Sequence, residues 1–137
     1  MLRAVLDANV IISALIQPKG ASGRIVASLL EESSFELIVS PAILAEIRRS
    51  LTYPKVRRYI NASDEDVDLF VAALALVAQP VEGSLRVGAV AADPDDNKYI
   101  EAALEGRAPF IVTGDSHLNP SSSGSDELGP VLALASR

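Results

Sequence analysis

Four acidic residues stand where a chain of alternating strands and helices gathers ligands. Asp7 follows an apolar run, Glu46 lies in the helix after the next such run, Asp96 sits near the start of a later helix, and Asp115 follows a further strand. In open α/β sheets the carboxyl ends of the strands and the adjoining helix N-termini border one crevice, so residues distant in sequence can meet there. Carboxylates held within a few ångströms repel, and one of them takes up a proton unless a cation sits among them. Hard divalent ions remove that conflict. Mg2+ and Mn2+ prefer oxygen ligands, and Mg2+ keeps several waters, which leaves positions for a phosphate oxygen and an attacking water. The chemistry that follows is metal-assisted hydrolysis of a phosphodiester. A metal-free route through a histidine pair is closed, because His117 is the only histidine.

Each of these residues also has a plain structural use. Asp7 can cap the helix that begins near Asn9. Glu46 can be an ordinary exposed helix acid, although on a helical wheel it flanks the apolar stripe of Ile43, Leu44, Ile47 and Leu51, with Arg48 and Arg49 further round. Asp93 reads as the N-cap of a helix with Pro94 at its first position, which puts Asp96 at the third. There Asp96 favours the helix dipole but shares a face with Ile100, Ala103 and Leu104, so it points to the core edge. Asp115 after Gly114 can be a turn residue. Asn9, Thr113 and Asn97 are candidates for polar groups that orient the carboxylates, with turn capping an equal use for the first two. His117 is assigned no role, and Asp95 is read as solvated.

Positioning these groups requires a strand over Leu2–Leu6, a turn at Asp7-Ala8-Asn9, and a helix over Val10–Ile16. After a loop at Gln17–Gly23, Ile25, Val26, Leu29 and Leu30 recur at helical spacing. Phe35–Val39 is the second strand, and Ser40-Pro41 supplies an N-cap and a first-position proline for a helix to about Leu51. A short helix over Tyr53–Ile60 carries a basic face. Ser63 opens the clearest helix, with Asp66 as capping-box acid and Val67, Phe70, Val71, Leu74, Val77 and Ala78 as its core stripe. Gln79–Val90 holds at most one short strand. A helix from Asp93 to about Gly106 and a strand over Phe110–Val112 follow. Residues 119–129 read as a flexible Pro/Ser/Gly-rich loop, and Val131–Leu134 as a last strand. The alternation predicts one α/β domain over residues 1–137, a three-layer α/β/α sandwich with a mainly parallel central sheet.

Composition narrows the function classes. With 137 residues and 49% hydrophobic content the chain suits a single core. The absence of cysteine excludes disulfides, zinc-thiolate sites, iron–sulfur clusters and thiol nucleophiles. The first residues lead directly into the Asp7 motif, and no apolar run approaches the ~20 residues that span a bilayer. The expectation is a soluble, cytoplasmic protein. A formal charge of −6 argues against holding nucleic acid by bulk electrostatics, unless bound cations cancel the converging carboxylates where a phosphate docks. Arg48, Arg49, Lys55, Arg57 and Arg58 fall in one stretch, either a solvated helix face or a phosphate-contacting patch.

Four blocks occur in order: Val5-Leu6-Asp7-Ala8-Asn9-Val10-Ile11-Ile12-Ser13-Ala14, Ser40-Pro41 through Leu44-Ala45-Glu46-Ile47, Asp93-Pro94-Asp95-Asp96-Asn97-Lys98-Tyr99, and Ile111-Val112-Thr113-Gly114-Asp115. In these blocks the chain resembles the PIN-domain family, and in particular the VapC-type ribonucleases of toxin–antitoxin systems. The resemblance implies a parallel sheet sandwiched by helices, a Mg2+ or Mn2+ site, and endonucleolytic cleavage of RNA. By position it implies that Asp7, Glu46 and Asp96 bind metal, with Asp115 a fourth acid acting through water and Asp93 an addition. It also implies homodimers and a cognate antitoxin that covers the active site. The chain departs from the pattern after Asp115, where Ser116-His117-Leu118-Asn119-Pro120 leads into a serine-rich stretch instead of a Leu-Leu pair and a short connection.

Two other readings remain. A non-catalytic PIN-like module would keep the fold and bind protein or RNA. A phosphatase or receiver domain also uses acids at strand ends, but Asp7-Ala8-Asn9 lacks the Asp-x-Asp of the phosphatases.

Overall fold

The computed structural model of the chain describes residues 2–87 and 96–113. The expected loop at 119–129, the strand at Val131–Leu134 and the helix start at Asp93 lie outside the described residues. Within them the order is β1 (Arg3–Leu6), α1 (Ala8–Ile16), α2 (Ala21–Glu32), β2 (Glu36–Val39), α3 (Pro41–Ser50), α4 (Pro54–Arg57), α5 (Asp64–Val77), β3 (Gln79–Pro80), α6 (Asn97–Glu105) and β4 (Phe110–Val112).

The strands form one sheet in the order β3-β2-β1-β4, and every pairing is parallel. Ala4, Val5 and Leu6 of β1 and Leu37, Ile38 and Val39 of β2 are all buried. Successive strand residues point to opposite faces, so unbroken burial means that both faces are covered, as the strand–helix alternation predicts. β3 is a two-residue edge strand that contains Pro80, a residue that sheets admit at their edges.

Local chemistry sets the helix starts. Asp7 caps α1, Ser40 caps α3 by accepting from the Ile43 amide at 3.3 Å, and Ser63 caps α5 by accepting from Asp66 at 3.1 Å. Pro41 and Pro54 open α3 and α4, where no amide donor is lost. Two glycines allow close approach. A Cβ on Gly23 would lie 2.0 Å from the Pro18 carbonyl oxygen, and one on Gly106 would lie 2.5 Å from Ile38 Cγ2. The second of these seats the end of α6 directly on β2.

The stripe expected on α5 differs in part. Val67, Val71, Leu74 and Ala78 are buried, but Val77 is 39% exposed, because α5 meets the core along one i, i+4, i+7 row and Val77 lies to its side. α6 is α-helical from Asn97, directly after Asp96. The Asp96 backbone is right-handed (φ −81°, ψ −12°), and its side chain caps no amide. Ile100 and Ala103 are buried with Asp96 as expected, whereas Leu104 is exposed.

Candidate active site

β1 is the point where the sheet order reverses: β2 lies on one side of it and β4 on the other. Such a switch point opens a crevice at the carboxyl ends of the strands. The register pairs Leu6 with Val112, so Asp7 and Thr113 leave the sheet side by side. The Asp7 amide still donates to the Val112 carbonyl at 3.0 Å. Asp7 is therefore fixed by strand pairing before its side chain makes any contact.

The Asp7 carboxylate is buried, at 2% exposure. Its Oδ1 accepts from the Asn9 amide at 2.9 Å, and its Oδ2 accepts from the Thr113 hydroxyl at 2.5 Å. One oxygen of Asp7 thus caps α1 while the other is held by Thr113. Asn9 contributes its backbone N–H, and the residue itself is exposed. Thr113 is buried and aimed at Asp7, the arrangement expected of a group that orients a carboxylate.

Glu46 reaches the crevice from α3, half-buried, and it is held from two sides by α6. The Tyr99 hydroxyl donates to Glu46 Oε2 at 2.7 Å, and Lys98 Nζ forms an ion pair with Glu46 Oε1. The Tyr99 oxygen also accepts from the Ala8 amide at 3.2 Å, which satisfies one of the donors left over at the start of α1. Tyr99 is 1% exposed. Burial pushes its phenol well above the ordinary tyrosine value, and the negative charges of Asp7 and Glu46 push it further. The phenol therefore stays protonated and donates. One neutral hydroxyl joins the helix that Asp7 opens to the helix that carries Glu46.

Asp96 is also buried, at 7% exposure, two and three residues before the side chains that hold Glu46. Asn97 is half-buried at the first position of α6. Asp93, Asp115 and His117 lie outside the described residues. Among the described residues, no three acids close on a common point that could hold a metal ion. The Tyr99 hydroxyl ties Glu46 to the Ala8 amide next to Asp7, and Asp96 directly precedes the helix that carries Tyr99.

Sequence reading gave no role to Tyr99 and Lys98, although both fall inside the Asp93–Tyr99 block. A signal was present: a tyrosine on the buried face of an amphipathic helix must find a partner for its hydroxyl. Which partner it finds is not written in the helix.

The groups joined here are hard oxygen donors, the carboxylates of Asp7 and Glu46 and the hydroxyls of Thr113 and Tyr99. Such a set suits Mg2+ or Mn2+ and offers nothing to a soft metal. The basic stretch is elsewhere. Arg57 pairs with Asp64, and Arg48 and Arg57 line an open groove of about 700 Å³ together with Asp64 and Asp68.

An open parallel α/β domain with an acidic crevice at its switch point defines the class. The PIN domain model matches residues 3–117, and the chain belongs to the PIN domain family. An uncharacterised protein of Methanocaldococcus jannaschii is 36% identical over 117 residues, spanning 85% of this chain and 73% of that protein. The fold is shared with a chain in the crystal structure of VapBC2 from Rickettsia felis bound to a DNA fragment from their promoter. That match has a TM-score of 0.57 and 13% identity, and covers 96% of each chain. No helix among the described residues is long and apolar enough to cross a membrane.

Proposed function

We propose that the chain is a metal-dependent endoribonuclease, the toxin of a two-component toxin–antitoxin pair. The observation that carries this reading is the Tyr99 hydroxyl, which ties Glu46 to the Ala8 amide beside Asp7 at the carboxyl end of β1, within a PIN domain. Asp7, Glu46, Asp96 and Asp115 would hold Mg2+ or Mn2+, with Thr113, Asn9, Asn97 and Asp93 in support. When bound, the ion supplies an activated water and offsets charge on the phosphate. The residues of the chain do the rest. Thr113 and the Asn9 amide fix the Asp7 carboxylate, so that its oxygens need no reorganisation when a cation or phosphate arrives. Tyr99 fixes the distal oxygen of Glu46. The N-terminus of α1, with its positive dipole end at the crevice, favours an anionic substrate.

In this reading the partners are an RNA substrate, a cognate antitoxin that covers the crevice and a second copy of the chain, all in the cytoplasm. The family resemblance and the likeness to a VapBC2 chain support it.

The test replaces Asp7 with Asn, which keeps size and removes charge. Mg2+-dependent RNA cleavage is expected to fall by at least about 100-fold, beyond the usual loss for a group that merely supports a metal ligand. The circular dichroism spectrum should be unchanged. Cleavage at the wild-type rate ends the assignment.

A second reading, a non-catalytic PIN-like module that binds protein or RNA, is favoured by one feature: Glu46 is already neutralised by Lys98. It predicts no Mn2+ binding that Mg2+ competes for and that the Asp7 or Asp96 variants lose.

A further inference from the structure

Glu46 is gripped by consecutive residues of one helix, and the two grips differ in kind. Tyr99 is buried and neutral, and it is anchored at its far side by the Ala8 amide. Lys98 is a charge on a flexible four-carbon stem, 18% exposed in its side chain against 24% for Glu46. Its ammonium lies 5.2 Å from the centre of the Tyr99 ring, a cation–π distance that holds it over the phenol while it faces Glu46 Oε1. A divalent cation that recruits Glu46 through Oε1 meets an ammonium in its place.

The ammonium has somewhere else to go. Lys98 also lines a groove of about 350 Å³ with Ser40, Glu82, Gly83, Arg86 and Glu101. Glu101 is three residues further along the same helix, the spacing at which opposite charges pair. One of its oxygens already accepts from the Val87 amide at 3.2 Å, which keeps the carboxylate near the groove.

We propose that Lys98 is the built-in counter-ion of the metal-free protein and a positioning residue for Glu46. It holds Glu46 oriented and charge-balanced until a divalent cation arrives. It then gives up Oε1 and turns toward Glu101, while Tyr99 keeps its hold on Oε2. The inference rests on the nuclease reading in one respect, that the crevice takes a divalent ion. No bond is made or broken in the exchange; one cation replaces another beside a carboxylate.

The test measures Mn2+ affinity calorimetrically on the full chain after chelation of metals, for the wild type, Lys98→Met, Lys98→Arg and the remote control Lys55→Met. Lys98→Met keeps the stem without the charge, and should bind Mn2+ about threefold to tenfold more tightly, since no cation must leave. Lys98→Arg keeps a cation that must leave and should bind Mn2+ no more tightly than wild type, and Lys55→Met should stay within about twofold of it. In parallel, urea unfolding of the metal-free Lys98→Met, Glu46→Gln and double variants should give non-additive changes in the unfolding equilibrium. Unchanged or weaker Mn2+ affinity in Lys98→Met, with normal binding by the wild type, overturns the exchange alone. Additive unfolding effects overturn the counter-ion role. Failure of the wild type to bind Mn2+ overturns the nuclease reading and the exchange with it.

Discussion

The two sides of the crevice are built differently. Asp7 and Thr113 stand at the ends of paired strands, and backbone hydrogen bonds in the sheet bring them together. Glu46, Lys98 and Tyr99 stand on two helices joined at this point by side chains. A strand-borne acid is held by main-chain geometry that few substitutions alter, whereas a helix-borne acid sits only as firmly as its side-chain partners hold it. One side is a fixed floor and the other an adjustable wall. In the nuclease we propose, an adjustable wall would suit a site whose charge changes when cation and substrate arrive, because a buried ladder cannot move without breaking several bonds.

The contrast breaks most severely at Thr113. Thr113→Val keeps shape and removes the hydroxyl, so Asp7 Oδ2 loses that donor in a buried setting. Unfolding in urea should show a loss of about 1–3 kcal/mol, and RNA cleavage should slow by about 10- to 100-fold. A stability change without a change in rate would separate the floor from the chemistry.

Tyr99→Phe acts on the wall and is expected to be milder, with cleavage reduced about threefold to tenfold, the equivalent of one hydrogen bond. It has a second signature in pH. Burial, and then the charges of Asp7 and Glu46, raise the Tyr99 phenol above its ordinary value of 10.0. A group whose value is raised by folding contributes stability in full below the unfolded value and loses it as the pH climbs beyond. Wild-type stability should therefore decline above about pH 10, and Tyr99→Phe should flatten that decline. Urea midpoints between pH 9 and pH 11 measure it; parallel curves for the two proteins would mean that the phenol is not the group responsible.

Asn9→Ala should do least. Asn9 serves Asp7 through its amide, which alanine also supplies, and the residue is exposed. Cleavage and stability are expected within about twofold and about 0.5 kcal/mol of wild type. A tenfold loss of cleavage would instead give the Asn9 side chain a direct part in the site.

Much of this arrangement is legible in the chain. The apolar runs before Asp7 and after Ala108, the Ser40-Pro41 and Ser63 caps and the helical spacing of Val67, Val71 and Leu74 all correspond to observed elements. These signals are local, because a strand, a cap or an amphipathic stripe is decided by residues within a few positions of one another. They also suffice to place Asp7 at a strand end and Glu46 beside an apolar stripe.

What the sequence determined by itself is therefore most elements of the described residues, their α/β class, and the family whose acids they carry. Tertiary structure alone decided which groups meet. The order β3-β2-β1-β4 sets Thr113 beside Asp7 across 106 residues, and the packing of α6 brings Tyr99 and Lys98 to Glu46 across about 50. Contacts of that separation depend on how layers stack and strands register, and no pattern confined to one element encodes them.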